Sequence, residues 1–181
     1  MRAARGLAQK WRPQKLDEVL FEPHVVRTLT KALDTNRIAP CYLFVGGRGL
    51  GKTSTARILA KCLNCEAGVG PAPCGECRTC REIAEGSSLD VIEIDAASHG
   101  KVEDARVLIE NARLVPVSSR HKVYILDEAH MLPGAAWNAL LKTLEEPPPH
   151  CVFILATTEG EKVIETIRSR SIRFDFRPVA E

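Results

Sequence analysis

An apolar run, CYLFV (41–45), leads directly into Gly46-Gly47-Arg48-Gly49-Leu50-Gly51-Lys52-Thr53, and a helical pattern, STARILAKCLN, follows. The eight residues fit G-x-x-x-x-G-K-[ST] in its required context, a strand before and a helix after. Glycines let the backbone curl so that successive N–H groups point inward at phosphate oxygens. The helix that follows adds its positive N-terminal end. In such a loop Lys52 is placed for the β- and γ-phosphates, and the Thr53 hydroxyl is placed to ligate Mg²⁺. The candidate nucleotide contacts are therefore Gly46, Gly47, Arg48, Gly49, Leu50, Gly51, Lys52, Thr53 and Ser54, with ATP and Mg²⁺ as the implied cofactors.

The rest of the chain alternates in the same way. Helical spacing covers 24–38, 101–115, 135–146 and 162–170, and short apolar runs predict further strands at 89–96, 122–130, 151–158 and 171–176. Ser98 is a plausible N-cap for the helix over 101–115, whose first turn carries Glu103 and Asp104. Pro147, Pro148 and Pro149 stop the helix over 135–146. Uniformly apolar central strands alternating with helices predict an α/β fold, a mainly parallel sheet covered on both faces. Ligands of such sheets bind at the carboxyl ends of the strands, and GGRGLGKT, DEAH and ATTE all fall at that edge. The 181 residues suffice for one domain with a full core. No apolar run approaches the roughly 20 residues of a membrane span, and the basic start, MRAARGLAQKWRPQK, lacks the apolar block of a secretory signal. A cytoplasmic protein without membrane contact is expected. The net charge of +2 neither demands nor excludes nucleic acid.

Asp127 and Glu128 close the third apolar run. In P-loop enzymes an Asp at this place holds Mg²⁺, and a second carboxylate beside it is suited to take a proton from an attacking water. Glu128 is the candidate general base. Five of the seven cysteines fall within one short stretch, which suggests a metal rather than a disulfide framework. Cys65, Cys74, Cys77 and Cys80 supply four thiolates, the ligand count of a closed structural Zn²⁺ site. Spacing alone also permits a pair from Cys62 and Cys65. Cys41 and Cys151 lie on apolar runs and read as core residues, and Trp11 and Trp137 as core or interface residues. Arg2, Arg5, Lys10, Arg12 and Lys15 read as a solvated basic tail.

DEAH by itself is also a helicase signature, but MLPGAAWNALLKTLEEPPPH after it resembles the clamp-loader ATPases of the AAA+ class. GGRGLGKTSTARILAK, the cysteine loop, VIEIDAAS, KVYILDEAHML, NALLKTLEEPP and FILATTE together resemble the N-terminal ATPase domain of the bacterial DNA polymerase III gamma/tau family, from about residue 10 to 176. The resemblance implies an AAA+ three-layer sandwich with a five-stranded sheet and a zinc-binding insertion over 62–82, and it selects Cys65 over Cys62 as the fourth ligand. It implies an ATP-hydrolysing motor that couples nucleotide turnover to loading a sliding clamp on primed DNA, within a polymerase holoenzyme but without a polymerase site of its own. The implied partners are other clamp-loader subunits in a hetero-oligomeric ring, the clamp, and primer-template DNA. Thr158 falls at the sensor 1 position, with Thr157 as its neighbouring candidate. Arg170, after Ser169, falls on the arginine that acts on the ATP of the adjacent subunit. It also lies between a short helix and the last strand, which predicts a place near the surface. Lys101 and Arg106 resemble DNA-facing residues, and LAQKWRP resembles a segment near the adenine.

The sequence departs from the family pattern in four places. Ser171 replaces a usual Cys, Ala8 and Gln9 replace a Tyr and a basic residue, Leu20-Phe21-Glu22 replaces Val-Gly-Gln, and His99 takes a place often held by Arg or Asn. The related delta-prime subunit has a degenerate P-loop, whereas Gly51-Lys52-Thr53 is intact here. AAA+ proteins carry a helical lid after this domain. Residues 1–181 contain neither a lid nor a collar, so a fragment of a longer protein is expected.

Overall fold

The computed structural model describes residues 12–19 and 22–178. The expectations for Arg2, Arg5, Lys10, Trp11, Ala8, Gln9, Leu20 and Phe21 fall outside the described residues, as does most of LAQKWRP.

The strands are β1 (Cys41–Val45), β2 (Val91–Asp95), β3 (Lys122–Asp127), β4 (Cys151–Thr157) and β5 (Ile172–Asp175). They form one sheet in the order β2-β3-β4-β1-β5, and every pairing is parallel. The helices are α1 (Pro23–Asp34), α2 (Lys52–Asn64), α3 (Arg78–Glu85), α4 (Val102–Arg113), α5 (Gly134–Glu145) and α6 (Glu165–Arg168). Among the described residues no helix is long and apolar enough to cross a membrane.

The strand alternation divides the core in two, because successive side chains leave a strand on opposite faces. Tyr42, Phe44, Val123, Ile125, Val152, Ile154 and Ala156 pack with α1 and α2. Leu43, Tyr124, Leu126, Phe153 and Leu155 pack with α4 and α5 on the other face. A strand apolar at every position therefore marks two covered faces. Trp137, Leu140 and Leu144 bring α5 onto the sheet, and Trp137 is a core residue. Cys41 and Cys151 are buried as expected, and burial pushes both thiols up to about 11.

Register aligns the carboxyl ends. Val45 lies beside Thr157, and Asp95 beside Asp127. The polar ends of β1, β3 and β4 thus share one edge of the sheet.

Several local expectations change. The third strand ends at Asp127 rather than running on to 130, because Glu128 is left-handed at φ 49° and Ala129–Met131 forms a 3-10 turn. The N-cap of α4 is Lys101, not Ser98. Its N–H donates to Asp104 Oδ2 at 3.0 Å, while the Ser98 hydroxyl donates to Asp95 Oδ2 at 2.9 Å. In place of one helix over 162–170, a 3-10 turn at Gly160–Lys162 is followed by the four-residue α6. The cysteine loop ends in α3, which starts on Cys77 and stops at the left-handed Gly86.

Candidate functional site

The loop between β1 and α2 is held by its own glycines and lysine. Gly46 donates its N–H to the Thr157 carbonyl at 3.1 Å, which joins the loop to the end of β4. A Cβ on Gly46 would stand 2.5 Å from the Phe176 carbonyl oxygen, so only glycine allows this close approach. Gly51 caps α2 in the left-handed region, at φ 84°. The amide N–H groups of Gly47 to Gly51 find no acceptor among the described residues. A run of free N–H groups leading into a helix N-terminus is an anion cradle.

Lys52 is buried and folds back over the loop. Its Nζ donates to the carbonyls of Gly46 at 2.6 Å and Gly47 at 2.7 Å. Burial lowers its pKa, Glu128 and Asp127 oppose that shift, and Arg48 adds to it. The ammonium is thus stocked with carbonyl contacts that phosphate oxygens can replace. Ser54, one residue into α2 beyond Thr53, is half-buried at the same helix start.

Thr53 donates its hydroxyl to Asp127 Oδ2 at 2.7 Å, joining the start of α2 to the end of β3. Hydroxyl and carboxylate are hard oxygen ligands of the kind Mg²⁺ takes alongside substrate phosphates. Asp127 Oδ1 accepts the Glu128 N–H at 2.9 Å, which fixes the carboxylate and the turn behind it.

Glu128 is turned out of the strand by its left-handed backbone, an uncommon conformation for a residue with a side chain. Its carboxylate meets three groups. Arg48 Nε lies 3.5 Å from Oε1, the Thr158 hydroxyl donates to Oε2 at 3.3 Å, and His130 Nδ1 lies 3.4 Å from Oε2. The structure therefore brings together Lys52, Thr53, Asp127, Glu128 and Thr158, five residues singled out from the sequence.

Arg170 is elsewhere. It is exposed and pairs with Glu145 at 3.8 Å. Lys101, Arg106 and His99 are exposed around the start of α4. His130 was not singled out. It is the last letter of DEAH, and its position two residues after Glu128 is the signal that could have found it.

The cysteine cluster begins at Cys65, which caps the far end of α2 from the loop between β1 and α2. The Sγ atoms of Cys65, Cys74, Cys77 and Cys80 all lie within 4.8 Å of one another. A tetrahedral zinc with bonds of about 2.3 Å separates its sulfurs by about 3.8 Å, so the four residues fit that metal. Backbone N–H groups of Cys74, Cys77 and Cys80 donate to Cys65, Cys74 and Cys77 Sγ, each at 3.3 Å. The backbone N–H groups of Cys77 and Glu76 bring the exposed Cys74 thiol down to about 7. Cys62 is buried inside α2 and outside the cluster, and burial pushes its thiol up to about 12.

Residues 21–180 match the family model described as DNA polymerase III, delta subunit. The chain belongs to this DNA polymerase III family. Within the family its sequence is similar to tau and gamma subunits. It is 53% identical over 171 residues to DNA polymerase III subunit tau of Salmonella typhimurium, covering 94% of this chain and 27% of that protein. It is 53% identical to subunit gamma/tau of Mycobacterium tuberculosis, covering 95% of this chain and 30% of that protein. The gamma subunit of a Buchnera aphidicola strain is 47% identical, with 96% of this chain and 47% of that protein covered. The chain thus spans between about a quarter and a half of these relatives' lengths. Two solved structures share the fold. One is a DNA polymerase III gamma subunit-related protein of Thermotoga maritima, with TM-score 0.56 and 21% identity over 83% of this chain and 46% of that one. The other is the Thermotoga maritima RuvB Holliday junction branch migration motor, with TM-score 0.61 and 23% identity over 91% of this chain and 48% of that one.

Proposed function

We propose that this DNA polymerase III family chain is an ATP-hydrolysing motor domain of a bacterial clamp loader. One observation carries the reading. The amide-lined loop with Lys52, the Thr53–Asp127 pair and the Glu128–Thr158 pair meet at one edge of the sheet. Gly46 to Ser54 hold the phosphates, with Lys52 offsetting charge on the β- and γ-phosphates. Thr53 and Asp127 hold Mg²⁺, which neutralises charge on the phosphate oxygens when bound. Glu128 takes a proton from the attacking water, and Thr158 orients the γ-phosphate end of the site. Arg170 serves the ATP of the adjacent subunit, in keeping with its exposed position away from Lys52. Residues 62–82 form a structural zinc insertion held by Cys65, Cys74, Cys77 and Cys80, with no open position for catalysis.

The 53% identity to tau and gamma/tau subunits supports the assembly. In it the chain works with other clamp-loader subunits in a hetero-oligomeric ring, with the sliding clamp and with primer-template DNA. It is a cytoplasmic part of a polymerase holoenzyme, and polymerisation belongs to other chains. Residues 1–181 make up one ATPase domain of a longer protein. A scaffold that binds ATP without turnover is disfavoured by the intact Lys52, Glu128 and Thr158.

The test is hydrolysis of γ-labelled ATP by the full-length protein in its assembled ring. The wild type is expected to release phosphate, and Lys52→Ala is expected to lose ATP binding while keeping its fold. Unchanged ATP affinity in Lys52→Ala removes the loop assignment.

A further inference from the structure

The proposed mechanism does not use His130, whose side chain is almost fully buried at this edge. Its ring stands between three elements. Nδ1 lies 2.8 Å from the Thr157 hydroxyl on β4 and 3.4 Å from Glu128 Oε2, and Nε2 lies 3.5 Å from Glu159 Oε1. The Thr157 hydroxyl oxygen also accepts the Glu159 N–H at 3.0 Å, and the Thr157 carbonyl accepts the Gly46 N–H at 3.1 Å. Thr157 is therefore fixed at both ends, by the phosphate loop and by the turn after β4. The ring that abuts it is fixed in turn. An Nδ1 that carries a hydrogen donates it to Thr157 Oγ1, one that does not accepts the Thr157 hydroxyl proton, and Glu128 Oε2 stands 3.4 Å from the same nitrogen.

From this geometry we propose that His130 is a positioning residue, which sets the place of the Glu128 carboxylate by bracing it against Thr157. The inference rests on the ATPase reading of the site and deepens it. Glu128 needs such a brace. Its backbone is left-handed, it is followed only by the short turn Ala129–Met131, and its other partners are the largely exposed Arg48 and a 3.3 Å hydroxyl contact from Thr158. A general base has to sit within hydrogen-bond reach of its water, and small displacements are costly to rate. His130 touches none of the loop amides, Lys52 or Thr53, so its effect falls on turnover rather than on nucleotide binding.

The experiment compares His130→Ala, His130→Asn and His130→Gln in the full-length protein within its assembled ring. ATP affinity, turnover at saturating ATP and thermal midpoint are read for each. An asparagine amide reproduces the Nδ1 position, and a glutamine amide the Nε2 position. His130→Ala is expected to lose turnover by roughly 10–100-fold, the usual cost of removing a group that orients a reacting one, with ATP affinity held within about 3-fold. His130→Asn is expected to recover most of that loss and His130→Gln little of it, which a purely structural role would not produce. Full turnover in His130→Ala overturns the proposal. So does equal turnover in the Asn and Gln variants, or a parallel fall of affinity and thermal midpoint in all three. Absence of turnover in the wild type overturns the ATPase reading itself, and this proposal with it.

Discussion

Asp90 stands immediately before β2 with its side chain fully buried, and Asp90→Asn removes its charge at nearly constant shape. Oδ1 accepts the Val117 N–H at 2.7 Å. Oδ2 accepts the N–H groups of Ser118 and Ser119, each at 2.8 Å, and the Ser118 hydroxyl at 3.3 Å. Burial raises the carboxyl's pKa, but the N–H groups of Val117, Ser118 and Ser119 outweigh it and leave Asp90 below its ordinary 3.8. These bonds tie down the turn between α4 and β3, the strand that carries Asp127 and Glu128. In Asp90→Asn the amide oxygen can face Ser118 and Ser119, but its NH₂ then meets the Val117 N–H donor to donor. Losing charge assistance and leaving a buried donor without an acceptor together cost about 2–4 kcal/mol at neutral pH. The folded-state pKa is depressed, so the carboxylate's contribution is fully present above the unfolded value and is lost as pH falls through the folded one. The gap between wild type and variant is thus level from neutral pH to about 5 and narrows below about 4. Urea unfolding at a series of pH values measures it. A gap under about 1 kcal/mol at pH 7, or one unchanged near pH 3, refutes the reasoning.

The purified protein, prepared without chelator, is expected to carry one zinc per chain, by elemental analysis. Cys77→Ser should lower the zinc content and reduce the thermal midpoint by roughly 5–10 °C, since the metal supplies folding free energy. Arg170→Ala should leave the chain's own ATP affinity nearly unchanged while slowing turnover in the neighbouring site by about 10³-fold or more, the scale of an arginine finger. Rings that pair Lys52→Ala with Arg170→Ala in the same composite site or in different ones distinguish the case. Activity that follows only the number of mutant chains contradicts action across the interface.

The layered fold was legible because each central strand is apolar at consecutive positions, as in Tyr42-Leu43-Phe44 and Val123-Tyr124-Ile125-Leu126, and only a sheet covered on both faces can bury both sets. The Thr53–Asp127 and Glu128–Thr158 pairings follow from motif positions at a helix start and at strand ends that the parallel register aligns. Element ends were less legible. Glu128 belongs by composition to the strand before it, and what removes it is a left-handed backbone held by the Asp127 carboxylate and a 3-10 turn. Ser98 has the chemistry of an N-cap, but Asp95 takes its hydroxyl first. The helix Arg78–Glu85 is short and hidden among cysteines, although the Arg78–Glu82 pair at 2.6 Å and the glycine at 86 mark it. His130 was missed because its partners, Thr157 and Glu159, come from a strand end distant in sequence.

The most direct measurement is ATP affinity and ATP turnover for Glu128→Gln, made on the full-length protein in its assembled ring. The amide keeps the shape of the side chain and gives up the charge that accepts a proton. If Glu128 is the base at this phosphate loop, ATP affinity stays within about 3-fold of the wild type while turnover falls by about 10²-fold or more. Turnover within about a factor of two of the wild type contradicts the assignment and places proton acceptance on another group.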